Sequence, residues 1–141
     1  MCTAASYRTK DLYFGRNLDY EFSYGDEVTI TPRNYPFTFR RAGEMRTHYA
    51  MIGMAYVAEE YPLYYDAVNE KGLSIAGLNF PGNADFKPEA RDMDNIAPYE
   101  LIPWLLGQCT SLDQVKVLLR RLNLIRLPFS ERLPLTPLHW M

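Results

Sequence analysis

Residues Tyr49 to Ala58 read Tyr-Ala-Met-Ile-Gly-Met-Ala-Tyr-Val-Ala, an unbroken stretch without a charge. A short apolar run with aromatic and β-branched residues spread along it reads as a strand buried on both faces. Such a strand needs neighbours on its edges, and the chain offers them. Cys2 to Arg8 has strand character with partial alternation, Thr9-Lys10-Asp11 is a tight connection, and Leu12 to Asp19 reads as a second strand. The chain therefore opens with a hairpin. Val28 to Thr31 is short, β-branched and closed by Pro32. Tyr64 to Asn69 and Leu73 to Asn79 flank Glu70-Lys71-Gly72, a second hairpin in which Gly72 is free to take positive φ.

Beyond these strands the pattern changes. Phe80 to Asp94 is polar, contains Pro81, Gly82 and Pro88, and reads as a loop. Pro98 suits a helix first turn, and Tyr99 to Cys109 reads as a largely apolar helix that tolerates Pro103 near its start. Ser111 and Gln114 fit a capping box that opens a second helix. Leu112, Val115, Leu118, Leu119 and Leu122 fall on one face of it at helical spacing. Strands, then a helical pair, then an extended end predict an α+β fold: a mainly antiparallel sheet covered by helices.

Composition narrows the function. The 141 residues allow one domain. Lys plus Arg number 15 and Asp plus Glu 17, so a net charge of −2 gives no electrostatic reason to bind nucleic acid or an anionic membrane. The uncharged run Leu101 to Leu112 is too short to cross a bilayer. No basic stretch followed by an apolar one opens the chain, so the expected compartment is the cytoplasm, with both cysteines reduced. His48 and His139 have no metal-ligand spacing around them, no glycine-rich phosphate loop is present, and no cofactor is implied. Cys109 reads as a packed small hydrophobe and Glu59-Glu60 as a solvated loop edge near a cleft. The segment Leu133 to Met141 is apolar and aromatic. It reads either as the start of a buried strand in a chain cut inside a fold, or as a short tail that docks on the domain.

One residue carries distinctive chemistry. Removal of Met1, which aminopeptidases perform when the second residue is small, would expose Cys2 with both a thiol and a free α-amine. An α-amine titrates close enough to neutrality to act as a base while the thiol attacks. The other reading of Cys2 is an incidental small residue in a first strand. Arg16 and Asp19 lie three apart, so on an unbroken strand they face opposite ways; leaving the strand near Asn17 would bring both beside Cys2. A guanidinium there favours the thiolate and a carboxylate holds the amine. Alternatively, they are an exposed Arg and a turn Asp.

Met1-Cys2-Thr3, Phe14-Gly15-Arg16-Asn17-Leu18-Asp19, Pro32-Arg33-Asn34-Tyr35, Asn69-Glu70-Lys71-Gly72-Leu73, Ala76-Gly77-Leu78-Asn79-Phe80 and Pro137-Leu138-His139-Trp140 occur in this order and spacing. Taken together they resemble the choloylglycine hydrolases, the bile salt hydrolases of gut bacteria. The resemblance implies an N-terminal nucleophile hydrolase with a four-layer αββα sandwich. It implies hydrolysis of the amide joining glycine or taurine to a bile acid. Under it, Cys2 is the nucleophile, Arg16 stabilises the thiolate, Asp19 binds the α-amine and Asn79 helps form the oxyanion hole. Leu18, Tyr20, Tyr24, Tyr65 and Leu133 line the steroid cleft. Related penicillin V acylases typically carry Tyr where Asn79 stands, so a penicillin V or other N-acyl amidase is the alternative. Family chains are more than twice as long, draw an Asn and an Arg from their second half, and often form homotetramers. Residues 1–141 would then be the N-terminal part of a single, truncated domain, and an inactive fragment is the third reading.

Overall fold

The computed structural model describes residues 2–21 and 23–141. The expected removal of Met1 therefore concerns a residue outside the described ones. The apolar run forms β6 (Met51–Ala58), the centre of the main sheet. On one edge it pairs β3 (Glu27–Thr31). On the other it is shared by β7 (Tyr61–Tyr64) and β8 (Asp66–Asn69), and the ladder continues through β9 (Ser74–Asn79) to β12 (Leu138–Trp140). Every pairing in this sheet is antiparallel, as the hairpin-rich sequence predicts.

Two strand readings need correction. β6 is not buried on both faces: Met51 and Ala55 are enclosed, but Ile52 is 41% and Val57 36% exposed. Only one face of the sheet meets the helices. Ile52 pairs with Ile30 and Met54 with Val28, and Val28 and Ile30 are each 66% exposed on the opposite face. β7 is the second correction, since the sequence shows no separate strand at Tyr61. Glu59 and Glu60 both take positive φ, 51° and 63°, and join β6 to β7 as the two-residue turn that matches strand twist. Pro62 is tolerated because, among the described residues, β7 pairs only with β6.

A 3₁₀ turn at Pro98–Glu100 leads into α1 (Leu101–Gln108), whose first seven residues are all buried. The helix starts two residues later than the sequence suggests because Glu100 is spent on capping. Its buried carboxylate accepts from Ala97 N (2.9 Å) and Arg40 N (2.7 Å), which ties the turn to the hairpin of β4 (Phe37–Phe39) and β5 (Gly43–Met45). Asn69, also buried, donates to the carbonyls of Leu106 (2.8 Å) and Cys109 (2.7 Å) and accepts from Lys71 N and Leu73 N. One amide thus closes the β8–β9 turn, where Gly72 takes φ +83°, and caps the end of α1.

α2 (Leu112–Leu119) begins at Ser111, whose hydroxyl accepts from Gln114 N (3.4 Å). Gln114 reaches past the cap residue to Thr110 N (2.6 Å), so the expected box closes one residue early. Val115 and Leu118 pack on the core, whereas Leu112 (66%) and Leu119 (46%) are exposed. Those two share a meridian at the edge of the stripe. Leu122 leaves the helix for β11 (Leu122–Leu124), which runs parallel to β10 (Asp94–Ile96). These strands, and the β4–β5 hairpin, are three residues long, too short for alternation to reveal them.

The opening hairpin, β1 (Thr3–Arg8) with β2 (Leu12–Asn17), lies across the sheet from the helices and meets it through Arg16. β2 ends at Asn17, not Asp19. The order of layers is helices, main sheet, hairpin. Among the described residues, no helix is long and apolar enough to cross a membrane.

Candidate active site

The register of the hairpin assembles the site. Ala4 pairs with Arg16 and Thr3 with Asn17, so Cys2 sits one residue beyond the ladder, where β2 is ending. The Asn17 side chain accepts from Thr3 N at 2.6 Å and fixes that corner. The Arg16 side chain is only 6% exposed and meets the sheet at β8 and β9. Its Nη1 lies 3.3 Å from Asp66 Oδ2, and its Nη2 donates to the Gly77 carbonyl at 3.0 Å. Nε is buried without a hydrogen-bond partner among the described residues. Leaving the strand at Asn17 is the geometry expected to free Asp19 from the strand's alternation; Asp19 follows two residues on and is exposed.

Cys2, Arg16, Leu18, Tyr20, Tyr24, Tyr65, Asn79 and Leu133 line one cleft. Asp19 is the only residue of the expected set outside its lining. Cys2 is partly buried and Asn79 is exposed at the end of β9. The wall is aromatic: Tyr20 meets Tyr24 edge-on at 6.1 Å and Tyr65 at 5.9 Å, and Tyr24 lies 6.1 Å from Tyr56. Such rings offer apolar area with a polar tip.

The charges around this wall are set locally. Burial pushes the Tyr20 phenol up, and proximity to Cys2 adds to it. Tyr65 donates to Asp26 Oδ1 (2.6 Å) and Ser23 donates to Asp26 Oδ2 (2.6 Å). These bonds, Ser23's first, hold the Asp26 carboxyl below its usual range, while burial and then the bond to Asp26 push the Tyr65 phenol far up. At the other end, burial and then the Glu100 charge push Tyr99 up to about 12.

The sequence missed much of the far wall. Tyr56, Leu63, Tyr64, Tyr99, Phe129 and Trp140 line the cleft, as does the extended stretch from Pro134 to Thr136. Only Leu133 was identified there; the Pro134 and Pro137 pair was the available sign of an extended wall. Both ring nitrogens of buried His48 meet backbone carbonyls, of Tyr49 and Tyr35, and the His139 ring lies tilted against Phe80 at 4.6 Å. Among the described residues, no group of three or more His, Cys, Asp or Glu could hold a metal ion.

Residues 2–141 match the family model described as linear amide C–N hydrolases, choloylglycine hydrolase family. The chain belongs to this family. Over all 141 residues it is 58% identical to a bile salt hydrolase/transferase of Lactiplantibacillus plantarum, covering 44% of that relative. A bile salt hydrolase/transferase of Clostridium perfringens is 39% identical, again with 44% of its length covered. The chain thus spans less than half the length of these relatives. The crystal structure of the C2A variant of the conjugated bile acid hydrolase from Clostridium perfringens superposes with a TM-score of 0.91 at 38% identity, covering 99% of this chain and 44% of that one. A penicillin V acylase from Agrobacterium tumefaciens shares the fold at TM-score 0.65 and 12% identity, covering 88% and 39% of the two chains. The chain therefore spans part of the N-terminal nucleophile hydrolase fold, to which its helices, sheet and hairpin contribute successive layers.

Proposed function

We propose that these residues carry the nucleophile and one wall of the substrate cleft of an amidase that cleaves conjugated bile salts, releasing glycine or taurine. The observation that carries this reading is the convergence of Cys2, Arg16 and Asn79 on a cleft walled by Leu18, Tyr20, Tyr24, Tyr65 and Leu133. An amphipathic steroid suits a largely apolar cleft with a few polar tips. The names of the relatives support the same substrate class.

In the proposed mechanism, Met1 is removed and Asp19 holds the new α-amine of Cys2. Arg16 favours the thiolate, with the α-amine taking the thiol proton. Sulfur attacks the amide carbonyl, and the oxyanion meets a backbone N–H at Asn79. The C–N bond breaks, the departing amine takes the proton, and water hydrolyses the thioester to regenerate the thiol. The test uses the whole protein carrying these residues, with loss of Met1 verified by intact mass. Glycine, taurine and phenoxyacetate release are measured from glycocholate, taurocholate and penicillin V. Release of glycine or taurine is expected, with Cys2→Ala lowering turnover at least about a thousandfold. Cleavage of penicillin V alone, or turnover retained by Cys2→Ala, refutes the reading.

A further inference from the structure

Arg16 does not reach the cleft unaided. It is nearly enclosed, and its one ion-pair partner among the described residues is Asp66, 22% exposed on the first residue of β8. A pair this sheltered is screened little by salt. Asp66 is aimed at Arg16 by an irregularity of the sheet. Ile52 pairs with Val68 and Ala55 with Tyr64, so two residues of β6, Gly53 and Met54, face three of the opposite chain, Tyr65, Asp66 and Ala67. That is a β-bulge, a device that re-aims a side chain next to a site. At the bulge Met54 N donates to Asp66 Oδ1 (3.4 Å), which leaves Oδ2 for the guanidinium. The Gly77 carbonyl, one strand over, takes Nη2 at 3.0 Å. Two anchors from adjacent strands fix the plane of the guanidinium, while its Nε has no hydrogen-bond partner among the described residues.

We infer that Asp66 is a positioning residue for the reaction proposed above: through the bulge it holds Arg16 where the guanidinium favours the Cys2 thiolate. The inference rests on Cys2 being the nucleophile. Two roles for Asp66 give opposite signs. As a bare negative charge near Cys2 it would oppose the thiolate, so its removal would ease deprotonation. As the anchor of Arg16, its removal lets the cation leave and makes deprotonation harder.

The test is the pH dependence of iodoacetamide alkylation in the whole, Met1-processed protein. Cys2→Ala gives the background from other thiols, among which Cys109 is buried. Asp66→Asn is expected to raise the alkylation midpoint by about one pH unit, a tenfold fall in thiolate below the midpoint. It also lowers kcat for taurocholate by a similar factor, with KM changed less than threefold. Asp66→Glu keeps the charge and moves it by one methylene, so a rise there reads position alone. It also decides the matter if Asp66→Asn does not fold. A midpoint that is unchanged or falls in the folded variant overturns the inference. Turnover retained in Cys2→Ala overturns the nucleophile reading instead, which separates the two failures.

Discussion

Replacing Gly53 by alanine tests the bulge on which the Arg16 anchor depends. A Cβ built at Gly53 would lie 1.9 Å from the Asp66 carbonyl oxygen, 2.7 Å from Ala67 Cα and 2.8 Å from Ala67 Cβ. Ordinary contact between carbon and oxygen needs more than 3 Å, and two of the three obstructing atoms are backbone, which has no rotamer to change. The strands must separate there by roughly an ångström. Overpacking of this kind costs about 1–3 kcal/mol. Separation also weakens the bonds from Tyr65 N to Met54 O (2.9 Å) and from Met54 N to Asp66. At about 1 kcal/mol for each hydrogen bond, the sum reaches about 3–5 kcal/mol. That is a large part of the 5–15 kcal/mol that holds a typical domain folded. Denaturant unfolding of Gly53→Ala against the parent reads the difference. Turnover per folded molecule should fall as well, because Asp66 moves with the bulge. A stability loss under 1 kcal/mol with turnover unchanged would refute the reasoning, since it would mean the bulge relaxes without effort and aims nothing.

Asn69→Ala leaves two helix-end carbonyls and two turn N–H groups without their partner, and should cost about 2–4 kcal/mol in the same unfolding assay. Tyr65→Phe removes the bond to Asp26 that ties the segment carrying Tyr20 and Tyr24 to the sheet; KM for taurocholate should rise several-fold with kcat changed less, as a steady-state series will show. The Glu100 carboxyl is raised by burial, so the stability it contributes is complete below the unfolded value near 4.5 and is lost as pH rises through the higher folded value. Glu100→Gln should therefore flatten the fall in stability on that rising limb, read by unfolding at pH 4.5, 6 and 7.5. Asp26 has the opposite sign: held low by Ser23 and Tyr65, it stabilises its segment above pH about 4 and lets go as pH falls, and amide exchange of residues 23–26 below that pH should quicken.

Sequence alone determined which chemistry was available here and roughly which segments were strands. The β-branched and apolar runs located β3, β6, β8 and β9, because side-chain periodicity is a local property. A second-position cysteine, followed by Phe14-Gly15-Arg16-Asn17-Leu18-Asp19 in order, identified the nucleophile candidate and its neighbours. Local signals could not show β4, β5, β10 and β11, the turn at Glu59-Glu60 or the exposed far face of β6, since each depends on what lies across space. Asp66 is the clearest case. In sequence it is one acidic residue in Tyr64-Tyr65-Asp66-Ala67, with nothing to mark it. Only the mismatch between two pairing registers, made possible by the missing side chain at Gly53, turns it toward a guanidinium fifty positions earlier. Residue type gave the cation its charge; where that charge stands was decided by how the strands pair.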